Sequence, residues 1–130
     1  MAKVLLVDDD RALLFIMGEY LEAHGMEFES AGSVAQARKL LRRSHFDVVI
    51  SDLNMPGESG LDLFRYVSAR YPDLPFILMT GCNDSRVKRE ALSMGVNRYI
   101  EKPFQILQLI QAINGRGLSG SRAGMAVPAA

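Results

Sequence analysis

The stretch DVVISDLNMPGESG, residues 47–60, decides how the rest of the chain is read. Val48, Val49 and Ile50 make a continuous apolar, β-branched run that ends at the lone carboxylate of Asp52, before a turn-rich segment with Pro56, Gly57 and Gly60. An apolar run of this length between breakers predicts a strand buried on both faces, the pattern of a parallel sheet. Asp52 then stands at the carboxyl end of a central strand, the edge at which open α/β sheets bind ligands.

On either side the same pattern recurs. Val4 to Val7 is a short apolar run that ends in Asp8-Asp9-Asp10, Pro75 to Met79 ends at Thr80-Gly81, and Asn97 to Ile100 ends at Glu101-Lys102-Pro103. Met26 to Ala31 reads as a strand near the sheet edge, with Phe28 inward and Glu27 and Glu29 outward.

Helical spacing fills the intervals. From Arg11 to His24 the apolar residues Leu13, Leu14, Ile16, Met17, Tyr20 and Leu21 predict a helix capped by Asp10 and stopped by Gly25. A second follows Ser33, with Val34, Ala37, Leu40 and Leu41 inward and Arg38, Lys39, Arg42 and Arg43 as a solvated face. Leu61, Leu63, Phe64 and Val67 mark a third, and a fourth runs from a cap at Asp84 or Ser85 to Met94, ended by Gly95. The last, Phe104 to about Asn114, carries Phe104, Ile106, Leu107, Leu109, Ile110 and Ile113, more apolar surface than one face needs, for the core or for a partner. Strands alternating with helices predict right-handed βαβ units and five parallel strands in a three-layer sandwich. Residues 1–114 are expected to form one domain, and the Gly-, Ser- and Ala-rich residues 115–130 a flexible tail or the start of a linker.

A chain of 130 residues with 48% hydrophobic content suits a single core. Fifteen basic and fifteen acidic residues cancel, which argues against general binding to nucleic acid or membrane. The one cysteine, Cys82, has no internal disulfide partner, and no Cys/His cluster suggests zinc. No stretch resembles a signal peptide or membrane span, so a cytoplasmic protein is expected.

The topology brings Asp8, Asp9, Asp52, Thr80 and Lys102 to one sheet edge. Each alone has an ordinary reading: the Asp8-Asp9-Asp10 run as a cap cluster, Lys102 as a surface charge, Thr80 as a β-former. Together they make a different site. Neighbouring carboxylates cannot all stay ionised without a counter-charge, and Mg²⁺ suits an oxygen-only site that leaves positions open for a phosphate. Lys102 and Thr80 add an ammonium and a hydroxyl for phosphoryl oxygens. An ionised aspartate there is a nucleophile able to form an acyl phosphate. No Walker-type or dinucleotide glycine loop is present, so the phosphoryl group does not come from bound ATP.

The blocks VLLVDDD (4–10), DVVISDLNMPGESG (47–60), ILMTG (77–81) and YIEKPF (99–104) resemble the four motif blocks of a response-regulator receiver domain of two-component signalling. The resemblance covers nearly all of residues 3–114. It implies a flavodoxin-like (βα)5 fold with sheet order 2-1-3-4-5. It further implies that Asp52 is phosphorylated by a histidine kinase or phosphotransfer protein. Mg²⁺ is then held by Asp9, Asp52 and the backbone carbonyl of Asn54, with Asp8 acting through water. Thr80 matches the switch hydroxyl, Lys102 the family's ammonium, Tyr99 the aromatic rotamer switch and Pro103 a proline that is often cis. Gly81, where many members have alanine, leaves space beside the switch, and Asn54 and Cys82 at lifetime-setting positions imply slow loss of the phosphoryl group. The face of the fourth helix, fifth strand and fifth helix is implied as a homodimer or effector surface, with no direct nucleic acid or membrane binding.

Two other classes use similar residues. An aspartyl phosphatase of the haloacid-dehalogenase type places a second Asp two residues after the nucleophile, where this chain has Asn54, and a pseudo-receiver scaffold lacks one of the acidic, Thr or Lys groups. This chain lacks none of them.

Overall fold

The computed structural model describes residues 2–81, 85–96, 98–102 and 105–114. Strand and helix alternate as β1 (Lys3–Val7), α1 (Arg11–Ala23), β2 (Glu27–Ala31), α2 (Val34–Arg43), β3 (Val48–Asp52), α3 (Gly60–Arg70), β4 (Phe76–Thr80), α4 (Ser85–Ser93), β5 (Tyr99–Glu101) and α5 (Ile106–Asn114). The strands form one parallel sheet in the order β2-β1-β3-β4-β5, the flavodoxin-like arrangement expected.

The apolar strands make sense because each serves two cores. Val4, Leu6, Val48, Ile50, Ile77 and Met79 point to one side, where they pack with Leu14, Met17 and Leu21 of α1 and Leu109 and Ile110 of α5. Their neighbours Leu5, Val7, Val49, Phe76 and Leu78 point to the other, against Ala37 and Leu41 of α2, Leu63 and Val67 of α3 and Ala91 of α4. Period-2 alternation thus divides one apolar run between two buried faces. The polar groups at the strand ends are left on a shared edge.

The helix caps follow the sequence. Asp10 accepts from the Leu13 backbone N–H and Ser33 from Gln36, while Gly25 takes the positive φ that stops α1. Phe28 lies across α1 at Gly18, where a Cβ would collide with the ring's Cζ.

The sheet covers only the α1 stripe of Leu14, Met17, Gly18 and Leu21, so Ile16 and Tyr20 are 50% and 45% exposed, beside Phe15 at 68%. One expectation changes. Arg38 is not part of a solvated face. It is half-buried, paired with Glu58 at 2.7 Å and stacked 5.2 Å from the Tyr66 ring centroid, whereas Lys39, Arg42 and Arg43 are exposed. In α5, Leu109 and Ile110 are buried in the core and Leu107 is 56% exposed. Cys82, Asp84, Asn97, Pro103, Phe104 and the tail at 115–130 lie outside the described residues.

Candidate functional site

The acidic site is assembled at the carboxyl ends of the neighbouring strands β1 and β3. Just past β1, Asp8 is 1% exposed, its N–H donates to the Ala31 carbonyl at 3.1 Å and its Oδ1 accepts from the Asp10 N–H at 2.9 Å. That last bond turns the chain outward, so Asp9 is exposed and Asp10 caps α1. Asp52 ends β3 at 7% exposure, and the following Leu53 N–H donates to the Met79 carbonyl at 2.8 Å. Asp8, Asp9 and Asp52 each place a carboxylate oxygen within 4.8 Å of the others.

Lys102 reaches this cluster from β5. Its N–H donates to the Thr80 carbonyl at 2.8 Å, which carries the ladder one step past Glu101 and sets the side chain over the pocket. The ammonium lies 3.1 Å from Asp52 Oδ1 and 3.2 Å from Asp8 Oδ2. Thr80, 3% exposed, ends β4 beside it.

The electrostatics are unbalanced. Burial pushes the Asp52 carboxyl above its ordinary range, the Lys102 hydrogen bond opposes this and the charge of Asp8 adds to it. Burial by itself would lower the Lys102 ammonium, but its bonds and attractions to Asp52 and Asp8 outweigh that and raise it. Three carboxylates face one ammonium, so a hard divalent cation fits the oxygen-only donor set and the remaining negative charge. Asp8, Asp9 and Asp52 would hold it.

Asn54 lies on the exposed loop just beyond Asp52, and the Gly60 N–H closes this loop on the Leu53 carbonyl at 2.9 Å. Tyr99 is not in the acidic pocket. It is half-buried, in register with Leu78, and packs against the core under α2, α3 and α4. A Cβ at Gly81 would meet Lys102 Cβ at 3.8 Å, an ordinary contact, so there is room for a methyl group there.

Sequence reasoning missed three features. Ser51, fully buried, donates its hydroxyl to the Asp52 carbonyl at 2.9 Å; its signal was a polar residue inside an apolar strand. Gly60 read as a turn residue, yet it is the first residue of α3 and abuts the backbone of Asp52. The Arg38–Glu58 pair ties α2 to the loop after β3 and had no local signal.

The family model described as response regulator receiver domain matches residues 4–114. The chain is 43% identical over 114 residues to the response regulator protein FleR of Pseudomonas aeruginosa, covering 86% of this chain and 24% of that protein. It is 41% identical over 109 residues to the C4-dicarboxylate transport transcriptional regulatory protein DctD of Rhizobium meliloti, covering 84% and 24%. The chain thus spans about a quarter of the length of these relatives. Among solved structures, a response regulator receiver domain protein from Clostridium thermocellum superposes with a TM-score of 0.83 at 32% identity, covering 88% of this chain and 93% of that one.

Proposed function

The chain belongs to the response regulator receiver domain family, and from that premise we propose that Asp52 accepts a phosphoryl group from a phosphohistidine on a sensor kinase or phosphotransfer protein. Receiver domains of response regulators are phosphorylation-dependent signalling switches, not enzymes that turn over a separate substrate. The observation that carries the reading is the cluster of Asp8, Asp9 and Asp52 oxygens within 4.8 Å, with the Lys102 ammonium on two of them.

In the proposed reaction an ionised Asp52 oxygen attacks phosphorus. An O–P bond forms as the donor's P–N bond breaks, and the leaving imidazole keeps that electron pair and takes up a proton. Asp9, Asp52 and the Asn54 carbonyl would hold Mg²⁺, with Asp8 acting through water. When bound, the ion neutralises charge on the phosphoryl oxygens. Lys102 exchanges part of its contact with Asp52 for a phosphoryl oxygen, and the Thr80 hydroxyl donates to another. Drawing Thr80 inward makes room for Tyr99, and the face of α4, β5 and α5 is re-shaped for a second copy or an effector.

The name of DctD describes a transcriptional regulator; this domain's own part would be to control such an output, without contacting nucleic acid itself. No helix among the described residues is long and apolar enough to cross a membrane; the cytoplasm, where a sensor kinase would present its phosphohistidine, is the proposed location. The test is incubation with Mg²⁺ and acetyl phosphate, followed by mass spectrometry. An added phosphoryl group, labile at alkaline pH and lost in Asp52→Asn, is expected; a folded protein that takes up none overturns the reading.

A further inference from the structure

Gly60 does not need to be glycine for its backbone: the glycines with positive φ among the described residues are Gly25, Gly57 and Gly95. What it needs is the absence of a side chain. A Cβ at Gly60 would collide with the Asp52 carbonyl oxygen and would stand 3.0 Å from Leu53 Cα and 3.1 Å from the Asp52 carbonyl carbon. All three atoms belong to backbone, so no rotamer change relieves the overlap.

The same peptide is fixed from its other sides. The Ser51 hydroxyl donates to the Asp52 carbonyl at 2.9 Å, the Leu53 N–H donates to Met79 at 2.8 Å, and the Leu53 carbonyl accepts from the Gly60 N–H at 2.9 Å. α3 is in turn anchored at this end by a capping box, in which Ser59 accepts from Leu61 and Asp62 while the Asp62 carboxylate accepts from the Ser59 N–H. The helix start is therefore pressed against the 52–53 peptide and cannot easily withdraw.

From these contacts we infer that Gly60 is a positioning residue for Asp52, with Ser51 as its counterpart on the other side of the carbonyl. The bare Cα of Gly60 lets α3 serve as a backstop that sets where the Asp52 carboxylate and the next two residues of the loop stand. An added methyl group pushes the peptide by about 1 Å, a displacement on the scale that costs ~100-fold in sites of fixed geometry. The inference rests on the proposed phosphoryl and Mg²⁺ site.

The experiment compares wild type with Gly60→Ala, Ser51→Ala and Asp62→Ala. It uses calorimetric titration with Mg²⁺ alone, thermal melts, and amide hydrogen exchange at Leu53 in metal-free protein. Gly60→Ala is expected to bind Mg²⁺ at least about tenfold more weakly and to exchange the Leu53 amide faster. Ser51→Ala should do both to a smaller degree, and it decides the matter if Gly60→Ala does not fold. Asp62→Ala, which unties α3 from Ser59 but leaves the Cα of Gly60 bare, should melt lower and weaken Mg²⁺ binding less than Gly60→Ala does, separating a loosened helix end from a displaced carboxylate. Wild-type Mg²⁺ affinity and Leu53 exchange in both Gly60→Ala and Ser51→Ala would overturn the inference. If wild type itself binds no Mg²⁺, the functional reading fails instead, and Leu53 exchange still decides the positioning role.

Discussion

At Asp52 function and stability pull in opposite directions. Its carboxyl is raised by burial, with the Lys102 hydrogen bond opposing and the charge of Asp8 adding to it. A raised acid binds its proton more tightly folded than unfolded, so its contribution to stability is lost as pH climbs from the ordinary value through the folded one. At neutral pH the ionised group therefore strains the metal-free fold, and Asp52→Asn should raise the urea midpoint of metal-free protein while abolishing phosphoryl uptake. A lower midpoint would show that the Lys102 bond outweighs burial. Lys102 is also raised, but as a base: its contribution is full below the ordinary 10.5 and is lost as pH rises through the higher folded value. Lys102→Met leaves Asp8 and Asp52 facing each other without the ammonium that bridges them, and we expect a loss of about 1–3 kcal/mol at neutral pH. The gap between its denaturation midpoint and that of wild type should narrow above pH 10.5, and added Mg²⁺ should recover part of the loss.

Among the elements, the strands and their charged ends were legible because each signal is local: an apolar run, then a carboxylate, hydroxyl or lysine. Caps were legible for the same reason, as Asp10 and Ser33 attest. What was not legible depends on partners distant in sequence. Arg38 looked like its neighbours Lys39, Arg42 and Arg43, and nothing local shows that Glu58, 20 residues on, would pair with it. Nor does it show that Arg38 and Arg70 would lie 5.2 and 5.0 Å from the Tyr66 ring centroid. Likewise Ile16 and Tyr20 fit the helical period as well as Leu14 and Leu21 do, and only the position of the sheet decides which stripe is buried. The Arg38 contacts join α2 to α3 and to the loop that follows Asp52. Arg38→Ala should therefore cost about 1–2 kcal/mol, mainly through lost stacking and stem packing on Tyr66. Arg38→Met, which keeps the stem, should recover more than half of that in denaturant melts. Equal losses in the two variants would assign the energy to the Glu58 ion pair instead.

In the whole molecule, two cores share one sheet, so the proposed change at the acidic edge would begin in strands that pack on both sides. The parallel three-layer sandwich was legible from alternation and the sheet order through the resemblance of the motif blocks, but the route from pocket to surface was not, because it runs across strand register. Thr80 is paired with Glu101, and Tyr99 is paired with Leu78 two residues back on the same strands. Thr80 thus ends at the pocket, while Tyr99 sits half-buried on the side of α3 and α4. On the proposed switch, a phosphoryl analogue that holds Thr80 inward would alter the packing available to Tyr99, and through it the surface that includes the exposed Leu92 and Leu107. Beryllofluoride with Mg²⁺ at about 100 times its dissociation constant should stabilise the fold by ~2.7 kcal/mol through binding alone. That figure measures occupancy, not switching. Switching would appear in amide resonances: wild type should shift at Asp52, at Thr80 and around Tyr99, Leu92 and Leu107. Thr80→Ala should still bind the analogue and shift near Asp52, yet leave the distant resonances in place. Distant shifts that persist in Thr80→Ala would mean that the signal travels instead through the loop held by Glu58 and Gly60, and the switch would then belong to α3 and not to β4 and β5.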